Sequence, residues 1–172
     1  MKVGITFSTF DLLHIGHIKM LEEAKQQCDY LIVGLQIDPS IDRPNKNKPI
    51  QTIIERYTQL KSCIYVDEII PYVYEKDIID IIQSYSINVR IIGEEYKYKM
   101  YTGKNECKNL GIKLYYNKRQ HRFSSTYLRK HIYYIEKNKK FPFGSFTKYN
   151  LTIFLSIFIN SSYLYFSSIL SS

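Results

Sequence analysis

The chain predicts an α/β fold: a parallel five-stranded sheet with helices on both faces, followed by an apolar C-terminal tail. Three observations predict it. Five short apolar, β-prone runs alternate with segments of helical periodicity, and a parallel sheet needs a crossover of that kind between its strands. The first strand-to-helix junction carries a cluster of histidine, glycine and aspartate, at the sheet edge where such folds bind ligands. The length of 172 residues supports one ordinary core plus a short appendage.

The elements follow in order. Lys2 to Phe7 is apolar and β-prone, and Ile18, Met20, Leu21 and Ala24 then recur at helical spacing, so a strand leads into a helix over 18–28. Tyr30 to Leu35 reads as the second strand and 53–64 as the second helix, Glu68 to Tyr72 as the third strand and 76–85 as the third helix. Val89 to Ile92 and Ile112 to Tyr116 read as the last two strands, with a short helix at 105–110 between them and a final helix at 126–136. The alternation is Rossmann-like. After Lys140 the composition changes: Phe141, Pro142, Phe143, Gly144 and Ser145 act as a breaker, and Tyr149 to Ser172 contains no charged residue. Two units are therefore expected, 1–140 and 141–172.

The tail leaves three readings open. Residues 151–170 are long enough to span a bilayer as a helix, and Lys137, Lys139, Lys140 and Lys148 precede them as a cytoplasmic flank would. The same stretch is serine-rich, so a packed or dimerising tail and an extension without a part in activity stand beside the membrane reading. The net charge of +8 and the pI of about 9.2 suit a partner that carries phosphates. No zinc-finger spacing or aromatic RNA-binding motif is present, so nucleic acid is not expected as the partner. Cys28, Cys63 and Cys107 are odd in number and far apart, which fits free thiols in a reducing, cytoplasmic compartment.

The junction itself reads TFSTFDLLHIGH, Thr6 to His17. Backbone N–H groups at a helix start lack intrahelical partners and the macrodipole adds partial positive charge, so an anion is stabilised there. Gly16 lets a ligand approach the backbone, and His14 and His17, three apart, point the same way on a helical turn. The segment predicts a phosphate site.

Phe10, Asp11, His14, Gly16 and His17 match the GxFDxxHxGH signature, and here the chain resembles the cytidylyltransferases and their wider nucleotidyltransferase relatives. The wording TFDLLHxGH is most similar to the glycerol-phosphate group among them. Ser8 stands where that family has glycine. His14 to His17 also spell the HIGH signature of class I aminoacyl-tRNA synthetases, but that reading needs a KMSKS-like loop and a much longer chain. Three further segments resemble the family in order. Glu55 to Tyr57 and Val66 to Glu68 are similar to its ERY and VDE elements. Gly93, Glu94, Glu95 and Tyr96 look like its GDDW or GEDY segment. KRQHRFSST, Lys118 to Thr126, is similar to its RTxGxSTT motif, with Arg122 at the glycine position.

The resemblance implies a phosphate oxygen of a phosphorylated alcohol attacking the α-phosphorus of a nucleoside triphosphate in line, with pyrophosphate leaving. His14, His17, Lys46 and Arg119 are the expected catalytic residues. Thr9, Phe10, Asp11, Gly16, Lys48, Arg56, Ser124, Ser125 and Thr126 are expected to bind the nucleotide, and Gly93, Glu94, Glu95 and Tyr96 the acceptor. Mg²⁺ is the expected cofactor, bridging the triphosphate, with Asp11 its candidate protein partner. CTP and a glycerol 3-phosphate-like acceptor are the favoured substrates, in a cytoplasmic homodimer; membrane contact through 151–170 is one of the three readings of the tail. The alternatives are an adenylyltransferase using ATP and a sugar phosphate, and a catalytically weak nucleotide-binding protein tethered to a membrane.

Overall fold

A computed structural model describes residues 1–118 and 123–139. The elements run β1 (Val3–Ser8), α1 (Ile15–Lys25), β2 (Tyr30–Gln36), α2 (Ile53–Lys61), β3 (Glu68–Tyr72), α3 (Asp77–Ser84), β4 (Val89–Gly93), a 3-10 turn (Glu94–Tyr96), α4 (Lys104–Asn109), β5 (Lys113–Asn117) and α5 (Ser125–Asn138). Each predicted strand and helix is present. The five strands pair in parallel in the order β3-β2-β1-β4-β5, so the order reverses between β1 and β4. Residues Met1–Lys130 form one compact unit, and His131 opens a second. The boundary expected at 140/141, the tail beyond it and Arg119 lie outside the described residues. Among the described residues no helix is long and apolar enough to cross a membrane.

Strand alternation sends side chains to two apolar layers. On one face Leu31, Val33 and Leu35 of β2 and Val89 and Ile91 of β4 meet Leu21 and Ala24 of α1 and Leu60 of α2. On the other, Ile5, Ile32 and Tyr72 meet Ile78, Ile81 and Ile82 of α3 and Cys107 of α4. Ile78, Ile81 and Ile82 keep the i, i+3, i+4 spacing that lays one stripe of α3 on the sheet.

Local chemistry sets the helix starts. Helix α1 begins at Ile15, three residues before the hydrophobic periodicity does, because the His14 imidazole caps it. Thr52 and Glu55 form a reciprocal capping box that fixes the entry to α2. Ser124 caps α5, its hydroxyl accepting the Tyr127 N–H at 3.1 Å.

Candidate active site

The C-terminal ends of all five strands open onto one cavity of about 510 Å³, within the usual size of a small-molecule site. It lies at the reversal of strand order, where an open α/β sheet leaves a crevice. Of the residues expected from sequence, Thr9, Phe10, Asp11, His14, Gly16, His17, Lys46, Gly93, Glu95, Tyr96, Ser124, Ser125 and Thr126 line it. The loops after β1, β2 and β4 and the start of α5 are thus brought together.

The two imidazoles are stacked, with ring centroids 3.9 Å apart and planes inclined by 16°. Phe10 meets the His17 ring edge-on at 5.2 Å. His14 Nδ1 accepts the N–H groups of Gly16 at 3.1 Å and His17 at 3.3 Å. With Nδ1 an acceptor, the proton of the neutral ring sits on Nε2, so the capping bond also fixes the tautomer. Helix start and histidine pair are therefore one device.

The loop before α1 is strained and clamped. Phe10 and Leu12 adopt left-handed backbone, with φ of 49° and 52°, which costs about 1–2 kcal/mol per non-glycine residue. Four hydrogen bonds hold that conformation. Asp11 Oδ1 accepts the N–H groups of Ile50 at 3.0 Å and Gln51 at 2.9 Å. The Leu12 N–H donates to Gln51 Oε1 at 2.8 Å. Arg56 Nη1 donates to the Thr9 carbonyl at 2.8 Å. Ser8 ends β1 with no left-handed backbone, so its side chain introduces no conformational strain there.

Arg56 corrects the expectation that placed it on the nucleotide. It is 1% exposed and does not line the cavity. Its guanidinium donates to the carbonyls of Thr9, Gln36, Ile37 and Gln51, so every nitrogen is spent on main chain beneath the loop. Burial lowers its pKa, and the carboxylates of Asp11 and Asp38 oppose that shift. Lys48 is also displaced from the cavity. Its side chain is exposed beside a separate hollow behind the loop, and its carbonyl accepts from Arg129 at 3.3 Å. Glu94 is not among the residues lining the cavity, whereas Glu95, also exposed on the 3-10 turn, is.

Arg129 is a site residue to which no motif in the sequence pointed. It ion-pairs with Asp11 Oδ2 and lines the cavity. Ser125, one helical turn earlier, donates its hydroxyl to the Asp11 carbonyl at 2.7 Å. The i, i+4 spacing from Ser125 to Arg129 was the available signal, since it puts both on one face of α5. Burial of Asp11 raises its pKa, but the N–H groups of Gln51 and Ile50 and the Arg129 guanidinium together outweigh that and hold the carboxyl below its ordinary value.

Asp11 does not fit its expected role as a direct metal partner, because two N–H groups and a guanidinium already engage its oxygens. Among the described residues no group of three or more His, Cys, Asp or Glu could hold a metal ion. Arg43, Lys46, Arg90 and Arg129 all line the cavity beside the carboxylates of Asp11, Glu75 and Glu95, with Arg43 paired to Glu75 and Arg129 to Asp11. Lys46 and Arg90 make no ion pair among the described residues, and they favour a ligand that brings negative charge.

A sequence profile described as cytidylyltransferase-like matches residues 5–131. The chain is 39% identical over 111 residues to a glycerol-3-phosphate cytidylyltransferase of Bacillus subtilis (strain 168), covering 62% of this chain and 82% of that one. It is 31% identical over 133 residues to the enzyme of the same name from Staphylococcus aureus (strain NCTC 8325 / PS 47), covering 77% and 96%. Among solved structures, the lipopolysaccharide core biosynthesis protein from Thermoplasma volcanium GSS1 superposes with a TM-score of 0.58 at 24% identity, over 72% of this chain and 99% of that chain. That likeness shows the fold.

Proposed function

The chain belongs to the cytidylyltransferase-like family, and from that premise we propose that it transfers a cytidylyl group from CTP to a small phosphorylated alcohol resembling glycerol 3-phosphate. The observation that carries the reading is the stacked pair of His14 and His17 at the capped start of α1, inside a cavity walled by cations.

In the proposed reaction an oxygen of the acceptor phosphate forms a bond to the α-phosphorus while the bond from that phosphorus to the bridging oxygen of pyrophosphate breaks. The electron pair leaves on pyrophosphate. No covalent intermediate on the protein is needed. We assign His14 and His17 to the α-phosphate, where imidazole N–H donors offset the charge that builds up on its oxygens. Ser124, Ser125, Thr126 and Arg119 are assigned to the leaving pyrophosphate, the hydroxyls standing at the N-terminus of α5. Lys46, on the loop after β2, is assigned to the incoming phosphate as a flexible point charge. Gly93, Glu95 and Tyr96, at the end of β4, are assigned to the hydroxyls of the substrates. Gly93 makes room for the Glu95 carboxylate, which a Cβ at that position would strike.

Mg²⁺ is proposed to enter with the triphosphate, held by its oxygens and by water, with no carboxylate assigned to it. Arg56 and Arg129 are assigned to holding the β1–α1 loop. A cytoplasmic homodimer, with residues 151–170 touching a membrane, belongs to the same proposal.

The test is pyrophosphate release by the full chain with Mg²⁺, crossing CTP, ATP, GTP and UTP against phosphorylated alcohols and sugar phosphates. Release that requires CTP and a phosphorylated alcohol is the expected result. Preference for ATP with a sugar phosphate would replace the donor and acceptor, and triphosphate binding without release would make the chain a binding protein.

A further inference from the structure

The half of the cavity on the α3 side is built around a side chain to which the reaction above gives no task. Arg90 lies in β4, and the strand register puts it on the same sheet face as Ile5, Phe7, Gln36 and Tyr72. It lines the cavity yet is only 4% exposed. Its guanidinium carbon sits 5.1 Å from the centre of the Phe7 ring and 5.2 Å from that of Tyr101. Nη1 donates to the Thr102 carbonyl at 2.7 Å.

Two glycines make room for this arrangement. A Cβ at Gly103, whose φ is already 79°, would come within 2.6 Å of Arg90 Nη1. A Cβ at Gly34 would come within 2.2 Å of the Phe7 ring that flanks the guanidinium. The sequence thus holds a cation in place inside an apolar layer.

What this cation lacks is an anion. Among the described residues no carboxylate lies within ion-pairing distance of Arg90, and its Nε has no hydrogen-bond partner. Glu75, on the same cavity wall, is paired with Arg43 at 2.9 Å. Gln36, 1% exposed, adds a second unmet donor. Its Oε1 accepts from Arg43 Nη2 at 2.5 Å, which leaves Nε2 without a partner. Tyr72 lies beside them, and burial raises its pKa and keeps its hydroxyl protonated. A buried cation without a carboxylate partner, held by two ring faces and one carbonyl and set beside the unmet Gln36 amide, is stabilised by a ligand that supplies negative oxygens.

The histidine pair tops α1, which packs on the opposite face of the sheet. An anion at Arg90 is therefore a different group from the phosphate assigned to His14 and His17. We propose that Arg90, with Gln36 and Tyr72, binds a second anionic group of the acceptor, so that the acceptor carries a carboxylate or a further phosphate besides the phosphate that attacks the nucleotide. The proposal rests on the transferase reading, in which the acceptor shares this cavity with the nucleotide. It makes Arg90 a specificity-determining residue.

The test is calorimetric binding to the full chain, in two matched pairs of probes. One pair is 3-phosphoglycerate against glycerol 3-phosphate, and the other is 1,3-propanediol bisphosphate against 3-hydroxypropyl phosphate. The expected result is that one doubly anionic probe binds at least about tenfold more tightly than its partner, the gain of one charge-assisted hydrogen-bonded contact. Which pair shows it distinguishes carboxylate from phosphate. Arg90→Met removes the charge and keeps an unbranched apolar stem, and it is expected to abolish the preference while leaving CTP affinity unchanged. Should that variant fail to fold, Arg90→Lys, which keeps the charge and loses the fork, is expected to reduce it. Equal binding within both pairs, a preference that survives in the folded variant, or a loss confined to CTP affinity would each overturn the proposal. Because these probes are offered without nucleotide, failure of CTP to bind would count against the transferase reading alone.

Discussion

His14 combines two tasks that sequence inspection separates, capping a helix and facing a phosphate. Its Nδ1 takes the Gly16 and His17 N–H groups, and that bond leaves the proton on the opposite nitrogen. His17 has the neighbouring ring without the cap, so it is the cleaner probe of chemistry. His17→Ala is expected to lower kcat by roughly a hundredfold or more, the loss of one oxyanion donor, with the melting temperature little changed; unchanged turnover in steady-state assays would remove it from the mechanism. Asp11 makes the complementary prediction in pH. Its carboxyl is held below the ordinary value in the folded chain, so the folded state binds that proton less readily than the unfolded state. The stability it contributes is complete above about pH 4, its unfolded value, and is lost as pH falls through the lower folded value. Thermal melts between pH 6 and 3 should fall more steeply for the natural chain than for Asp11→Asn. Both residues were legible in the sequence as members of a phosphate motif. Arg129 was not, because its importance depends on a partner 118 positions away.

The elements were the most legible part, because period-two and period-3.6 patterns are local properties. All five strands and five helices fall where the apolar spacing put them, and the differences lie at ends set by polar groups. Arg56 shows the limit. The ERY resemblance brought it to notice, but only the packing of α2 under the loop after β1 turns it from a ligand contact into a clamp on four carbonyls. Helix α2 is seated by Thr52 and Glu55, whose side chains satisfy each other's backbone N–H groups. Thr52→Ala is expected to destabilise the chain by about 1 kcal/mol in urea denaturation. Affinity for CTP should stay within twofold at temperatures where the variant is folded, because Arg56 keeps its carbonyl partners. A large loss of affinity would mean that the cap acts on the site directly.

Strand order gathers the site from segments spread over the compact unit. Reversal between β1 and β4 opens a crevice into which the ends of all five strands contribute, and the chain fills it with arginine, lysine and imidazole. Arg43, Lys46, Arg90 and Arg129 line that crevice, where their charge would offset the repulsion between a triphosphate and a second phosphate in the proposed reaction. The sequence indicated that charge but not its division between two sheet faces, which depends on the register that puts Arg90 opposite the side of α1. The central claim is that this cavity joins a cytidylyl group to an acceptor phosphate. The most direct measurement is ³¹P NMR of the full chain with CTP, Mg²⁺ and glycerol 3-phosphate or whichever anionic acceptor binds best. Expected are the paired resonances of a new unsymmetrical diphosphate growing in step with pyrophosphate, and neither when the acceptor is omitted. Pyrophosphate with CMP and no new diphosphate, or CTP left intact by a chain that binds both ligands, would contradict it.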